Sequence, residues 1–408
     1  MENNDFSRKQ LQILAFPNTD YDALICDGAI RSGKSSVMST AFIVWAMRDF
    51  NGYNFAICGK TVQTAVKNIV APLLAMSFFK KNGYYLKFNR SENKLTVTRN
   101  GKTNTFYIYG GKDESSYMLI QGITLAGVLL DEVAIMVRSF VEQALARCSV
   151  EGSRFWFNCN PDSPKHWFYE EWIKQADKRN ALRLHFLMKD NPSLSDKILQ
   201  RYESMYAGVF YDRYIRGLWI VAEGLVYPMF SDACISEPPD DIQPSETYIS
   251  MDYGIQNPTA MILWKKYGST WYAVDEYRHS GREENKKKTD EEYYAEMCRL
   301  ADENDVESCV LIIDPSAASF IATTRRHGRF TARKAKNDVL SGIQAVSVCL
   351  SAGKIKFSEN CKYAIEEFGL YRWDDKSTED KPIKENDHDM DAVRYFVYTK
   401  RIHKEVVI

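Results

Sequence analysis

Gly28-Ala29-Ile30-Arg31-Ser32-Gly33-Lys34-Ser35 constrains this chain more than any other stretch. It satisfies every fixed position of the phosphate-binding pattern G-x-x-x-x-G-K-S/T. Residues 21–27 (YDALICD) ahead of it read as a buried strand, and residues 36–50 behind it read as an amphipathic helix. The glycines let backbone N–H groups curl around phosphate oxygens, and a helix N-terminus adds positive potential. In that frame Lys34 reaches the β- and γ-phosphates of ATP and the Ser35 hydroxyl holds Mg²⁺. Gly28, Arg31, Ser32, Gly33 and Ser36 complete the cradle. The structural alternative is an ordinary glycine-rich turn.

Composition narrows the class. A chain of 408 residues predicts two domains. Hydrophobic content of 45% and charged content of 26% describe a globular protein. No apolar run approaches the length of a membrane span. No apolar core follows MENNDFSRKQ, so it does not read as a signal peptide. The nine cysteines are scattered without a C-x-x-C pair, which suits a reducing cytosol better than a disulfide framework or a zinc site. A net charge of −1 gives no argument for nucleic acid, so any DNA-binding surface must be a local basic patch.

Strands are expected at residues 54–59, 105–109 and 125–130, the last running straight into Asp131-Glu132. Behind a phosphate loop, such an acidic pair is the second half of an ATPase site. Asp131 binds Mg²⁺ and Glu132 orients and deprotonates the attacking water; a helix cap is the alternative. Residues 154–159 (RFWFNC) read as a further strand, and Asn158 and Asn160 leave it where an amide can sense the γ-phosphate; a plain Asn-Pro turn is the alternative. Arg31 is a candidate arginine finger, with a solvated charge as the alternative, and Arg147 is a weaker candidate. Gln10 and Gln12 are candidates for reading adenine.

Pro228, Pro238, Pro239 and Pro244 mark residues 223–246 as a linker between a P-loop ATPase domain (1–222) and a second domain (247–408). That second domain predicts an antiparallel meander over 247–253, 259–265 and 270–277. A helix over 289–303, a strand at 308–313 and helices over 338–350 and beyond 387 follow. Asp252 lies in the first strand, Asp314 ends the later one, and Asp391 lies near the start of the last helix. Carboxylates converging in that way mark an RNase H-like nuclease, in which two Mg²⁺ or Mn²⁺ clamp the attacking and leaving oxygens of a phosphodiester. The cations also answer a charge problem, since carboxylates ~4 Å apart repel by about 4 kcal/mol at an effective dielectric of about 20. His388 shares a helix face with Asp391 and is a further ligand or proton carrier. Asp387 is expected to cap the helix and Asp389 to point elsewhere, though it could substitute as a ligand. Two basic runs read either as solvated loops or as DNA contacts. One comprises Arg325, Arg326, Arg329, Arg333, Lys334 and Lys336, and the other Lys286, Lys287 and Lys288.

The order and spacing of these motifs resemble the large subunit of tailed-bacteriophage terminases across nearly the whole chain. The resemblance rests on GAIRSGKS, LAGVLLDE, FWFNCNP, GLWIVAEGLVYPMF, SMDYG, LIIDPSA, KAKNDVLSGI and HDMDAVRY. It implies a P-loop NTPase domain with a mainly parallel sheet followed by an RNase H-like α/β nuclease domain. Lys34, Ser35, Asp131 and Glu132 then run ATP hydrolysis, with Arg31 as the loop arginine and Asn158 or Asn160 as the coupling position. Asp252, Asp314 and Asp391 bind the nuclease metals beside His388. It further implies an ATP-driven motor that moves double-stranded DNA into a prohead and cuts the concatemer. The partners would be a portal protein and a small terminase subunit. The motor would be a homo-oligomeric ring on the prohead, or a monomer in solution, with no membrane, working in the host cytoplasm. A transposase- or integrase-like strand-transfer enzyme and an inactive prophage assembly protein are the competing readings.

Overall fold

Strands without polar alternation must be covered on both faces, which is the habit of a parallel sheet with helices on either side. Ala23–Gly28 (β1) and Gly127–Asp131 (β6) are buried along their whole length. The computed structural model describes residues 6–254, 258–280, 288–377 and 380–407. It divides into two compact units, Met1–Leu199 with Asp212–Val221, and Gln200–Tyr211 with Ala222–Ile408.

The first unit holds an eight-stranded sheet in the order β3-β4-β5-β2-β6-β7-β1-β8. Its other strands are Asn54–Gly59 (β2), Tyr85–Asn89 (β3), Lys94–Arg99 (β4), Lys102–Gly110 (β5), Arg154–Asn158 (β7) and Ala181–Phe186 (β8). The pairs from β5 through β8 are all parallel, whereas β3, β4 and β5 form an antiparallel edge. The sequence pattern shows the parallel strands near β1, β2, β5, β6 and β7 but not β3, β4 or β8. The helix after the phosphate loop, Lys34–Asp49 (α2), follows a shorter one at Arg8–Ala15 (α1). Phe42 of α2 meets Phe55, Phe106 and Trp156 of the sheet in edge-on contacts at 5.7–5.8 Å, a geometry that aromatic quadrupoles favour.

The second unit holds a six-stranded sheet in the order β13-β12-β9-β10-β11-β14. Glu246–Asp252 (β9), Thr259–Tyr267 (β10) and Thr270–His279 (β11) form the expected antiparallel meander. Val310–Ile313 (β12) runs parallel to β9 and to Thr331–Lys334 (β13), and Ile355–Phe357 (β14) runs parallel to β11. The helices are Asp290–Asp302 (α3), Ala318–His327 (α4), Val339–Ser351 (α5), Lys362–Leu370 (α6) and His388–Lys400 (α7). Phe396 fixes α7 on the sheet by stacking on Trp264 at 4.4 Å and meeting Trp271 edge-on at 5.0 Å. This is the RNase H-like α/β arrangement.

The proline-rich stretch read as a linker packs on the second unit along part of its length. The Val226 N–H donates to the Tyr371 carbonyl, Tyr227 is buried, and Phe230 stacks on Phe368 at 4.0 Å.

The first glycine of the phosphate loop has a steric reason. Gly28 has φ 126°, and a Cβ there would fall 2.0 Å from the Phe186 carbonyl oxygen of β8. Gly28→Ala is expected to cost the first unit about 3 kcal/mol through backbone strain plus overpacking. Scanning calorimetry would read this as a lowered first-unit transition, and an unchanged transition would contradict it.

Candidate functional site

Gly33, at φ 83°, turns the chain in the left-handed region and becomes the N-cap of α2. That turn sends Lys34 inward. Its ammonium, 5% exposed, donates to the carbonyl oxygens of Gly28 (3.0 Å) and Ala29 (2.7 Å), to Ser32 Oγ (3.3 Å) and to Asn160 Oδ1 (3.3 Å). Burial pulls its pKa down to about 8, against the pull of Cys159, Cys26, Asp27 and Asp131.

Ser35 stands one residue into α2. The Asn158 side-chain amide donates to Ser35 Oγ at 2.7 Å and to Asp131 Oδ1 at 2.6 Å, tying the hydroxyl and the carboxylate together. Parallel pairing sets this up, since Asp131 of β6 lies beside Asn158 of β7. Asn68 reaches the other Asp131 oxygen at 3.5 Å, a contact no local pattern announces. Burial raises the Asp131 pKa against the lowering effect of these bonds. Burial, then the Asp131 charge, raises that of Glu132, which sits at φ 61°. Asn158 Oδ1 is a buried oxygen with no hydrogen-bond partner among the described residues. A hydroxyl, a carboxylate and this orphaned oxygen form an all-oxygen donor set that fits a hard divalent cation such as Mg²⁺.

The remaining cradle candidates divide. Ser32 is buried in the loop, whereas Arg31 and Ser36 are exposed. Arg31 has φ 55°, and its carbonyl accepts from Asn191 Nδ2 at 2.7 Å. Arg147 ends a helix, and its buried Nε has no hydrogen-bond partner among the described residues. Gln10 is buried against Gly33, where an added Cβ would meet its Nε2 at 2.5 Å, while Gln12 is exposed.

The sequence pattern does not single out the residue just before the loop. Asp27 is fully buried and accepts from Arg183 Nε and Nη2 at 3.0 Å each. It also pairs with His185 Nδ1 at 3.1 Å and accepts from Trp219 Nε1 at 2.9 Å. Burial alone would raise its pKa, but the bonds from His185 and Arg183 and their charges hold it at about 2. The partners lie 156 to 192 positions along the chain, and that separation is why no local pattern shows them.

In the second unit, β12 pairs with β9 in the register Ile313 to Met251, so Asp314 follows beside Asp252 at one end of neighbouring parallel strands. The helix α7 packs across β9, β10 and β12 and brings His388 and Asp391 to that end. Each acid is held by an α7 side chain. His388 Nδ1 pairs with Asp252 Oδ2 at 2.9 Å, Tyr395 donates to Asp314 Oδ2 at 2.8 Å, and Arg394 grips Asp391 Oδ1 at 2.8 and 3.1 Å. Asp314, Asp387 and Asp391 line one cavity of about 800 Å³. Burial, helped by the charges of Asp391 and Asp387, raises Asp252 to about 6 in spite of His388. Burial works against the His388 cation, but the Asp252 bond and charge prevail and raise its pKa. Burial would also raise Asp314, yet the Ser316 hydroxyl and amide and the Tyr395 hydroxyl hold it below the usual carboxylate range.

Among the described residues, no three His, Cys, Asp or Glu side chains stand close enough to form a metal ligand set as they are placed. The donors are nonetheless chemically suited to Mg²⁺ or Mn²⁺, being hard carboxylates whose mutual repulsion a cation relieves.

The helix cap expected at Asp387 is not made. Asp387 occupies the N-cap position without a side-chain bond, and Glu367 of α6 instead accepts the N–H groups of Asp389 (2.8 Å) and Met390 (3.2 Å). Asp389, itself fully buried, points away from the cavity and pairs with the partly buried Arg278, which also holds Glu367. Burial raises Asp389, and the neighbouring Glu367 charge adds to this.

In the basic runs, Arg326 and His327 pair with Glu291, and Arg329 pairs with Asp302. Arg325, Arg333, Lys334 and Lys336 are exposed. Lys288 pairs with Glu296, whereas Lys286 and Lys287 lie outside the described residues.

Comparison with known proteins decides the family. The family described as terminase large subunit, T4likevirus-type, N-terminal, matches residues 25–231. The large terminase of a thermophilic bacteriophage has a solved structure 49% identical in sequence, with TM-score 0.86, covering 97% of this chain and 98% of that one. The chain belongs to the large terminase subunit family. Two more structures of the same thermophilic phage terminase, one in complex with ADP and one with ATP-γ-S, are each 47% identical with TM-scores of 0.84 and 0.83. Each match covers 97% of this terminase and 99% of the other chain. No curated protein matches. No helix among the described residues is long and apolar enough to cross a membrane.

The acid cluster of this terminase carries a pH signature. Asp252 moves from 3.8 to about 6 on folding, so the folded state holds its proton more tightly. The charge costs little below about pH 4, and the penalty builds between about pH 4 and about pH 6 and stays at its full value above that. In EDTA, Asp252→Asn is expected to stabilise the protein by about 1–3 kcal/mol near pH 8 and to leave it unchanged near pH 4. Thermal melts at the two pH values check this, and stabilisation at low pH alone would contradict it.

Proposed function

We propose that this terminase is an ATP-driven motor that moves viral double-stranded DNA into a prohead and cuts the DNA concatemer. In this reading ATP is hydrolysed in the first unit and DNA is cleaved in the second. The observation that carries the reading is a pair of amides leaving β7: Asn158 ties Ser35 to Asp131, and Asn160 accepts from the Lys34 ammonium. The nucleotide complexes of the thermophilic phage relative support it.

On the ATP side, the loop N–H groups and the α2 terminus take the phosphates. Lys34 exchanges its carbonyl partners for β- and γ-phosphate oxygens, releasing Asn160. Ser35 and Asp131 are the residues that would hold Mg²⁺, which would supply neutralisation of phosphate charge. Glu132 orients the attacking water and takes its proton, a task its raised pKa suits. Arg31, exposed in the loop, would stabilise transition-state charge in its own or a neighbouring subunit.

On the DNA side, Asp252, Asp314 and Asp391, with Asp387 beside them, are the residues that would hold two divalent ions. The ions would supply charge stabilisation at the attacking and leaving oxygens. His388 holds a proton against Asp252 and orients that carboxylate. The partners in this reading are double-stranded DNA, a portal protein and a small terminase subunit. The assembly is a ring docked on the prohead in the host cytoplasm.

Lys34→Ala is expected to lower ATP turnover at least about 100-fold while metal-dependent cutting of plasmid persists. Asp252→Ala is expected to do the reverse. Radiolabelled ATP hydrolysis and plasmid nicking, measured on both folded variants, provide the test. Loss of both activities in each variant would refute the two-site reading.

A further inference from the structure

The segment Asp212–Val221 belongs to the first unit, although the chain on either side of it, Gln200–Tyr211 and Ala222 onward, belongs to the second. This short return is fastened to the nucleotide site at several points. The Ile30 N–H in the phosphate loop donates to the Tyr214 carbonyl at 2.9 Å. Gly217, at φ 72°, comes so close that an added Cβ would lie 3.2 Å from the Ala29 nitrogen and 3.1 Å from His185 Cε1. The Trp219 indole N–H donates to the buried Asp27 carboxylate at 2.9 Å, one residue before Gly28.

The same segment closes on itself and reaches the chain just beyond β7. Arg213, 4% exposed, donates to the Ile220 carbonyl through Nε (3.2 Å) and Nη2 (2.5 Å). Its Nη1 meets Asp162 Oδ1 at 3.1 Å. Asp162 lies two residues after Asn160, whose side-chain oxygen accepts from Lys34. The segment therefore bridges the loop that takes phosphate and the turn that holds its lysine.

We infer that Trp219 and Arg213 are positioning residues. They make 212–221 a brace across the nucleotide site, so that nucleotide occupancy and the hold on this segment are thermodynamically linked. The inference rests on the ATP-site reading and adds a route by which phosphate occupancy reaches the chain that continues into the second unit. Phosphate draws Lys34 off Asn160 and fixes the loop amides between Asp27 and Lys34. Whatever fixes those amides also fixes the partners that Tyr214, Gly217 and Trp219 require. By reciprocity, loosening the brace must weaken nucleotide binding by the factor by which nucleotide tightens the brace.

Hydrogen exchange and calorimetric titration with ATP-γ-S and Mg²⁺ test this on the full chain. In the wild type, nucleotide is expected to slow exchange over residues 212–221 by about tenfold and to leave the buried strand β7 unchanged. Trp219→Phe keeps the aromatic packing on Tyr169 (5.0 Å) but removes the N–H donor. It is expected to reduce that nucleotide-dependent slowing to about twofold or less and to weaken ATP-γ-S about tenfold. Arg213→Lys keeps the charge, loses the two-pronged bond to Ile220, and carries the same expectation if the first variant does not fold. Wild-type protein that binds nucleotide with no change over 212–221, or a folded variant that keeps the full slowing, overturns the brace. Wild-type protein that binds no nucleotide overturns the ATP-site reading instead.

Discussion

A lysine ammonium buried among neutral oxygens is the constraint on which the nucleotide centre depends. Taking a charge out of water is costly unless its hydrogen bonds are replaced. Lys34 gets them from Gly28, Ala29, Ser32 and Asn160. Those oxygens converge only if β1 ends where it does, if Gly33 turns left-handed, and if the chain leaves β7 through Asn160. A pKa drawn down to about 8 shows that the compensation is incomplete. An anion beside Lys34 would complete it, so the cost of burying the charge becomes affinity for phosphate.

Both units gather polar chemistry by the same topological rule. Neighbouring parallel strands end on the same side of a sheet, and the residues just past those ends are brought together without help from loops. In the first unit β1 delivers the phosphate loop, β6 delivers Asp131-Glu132, and β7 delivers Asn158. In the second, β9 and β12 deliver Asp252 and Asp314 at adjacent register positions, and α7 adds His388 and Asp391. The two sites nevertheless differ. The first is knit by neutral amides, while the second confines like charges, which is why burial moves Asp252 so far.

What can be read in the sequence follows from the range of the interactions. The phosphate loop depends on glycines within six positions of each other, and the strand-end acids depend on a local switch from apolar to charged residues. Both are visible. The positions of the acids are legible too, since Asp252 and Asp314 close neighbouring strands and Asp391 lies in the first turn of α7. Asp27 is not visible, because its partners Arg183, His185 and Trp219 come from β8 and from a segment that returns to the first unit. Glu367 escapes for the same reason, so local pattern assigns the α7 cap to the adjacent Asp387. The prolines of residues 223–246 are legible as a break in regular structure, whereas the anchoring of Tyr227 and Phe230 depends on partners far along the chain. The edge strands β3 and β4 carry the alternating, half-exposed pattern of an antiparallel ribbon, which is a weaker signal than a fully apolar run.

The most direct measurement is a crystal structure with Mn²⁺ and a non-hydrolysable ATP analogue, read by anomalous scattering. The account predicts Lys34 Nζ on the β- and γ-phosphates and one manganese beside Ser35 and Asp131. It also predicts manganese held among Asp252, Asp314 and Asp391, with Asp391 turned from Arg394 toward the metal. Nucleotide bound away from Lys34, or no anomalous peak among those three aspartates, would contradict it.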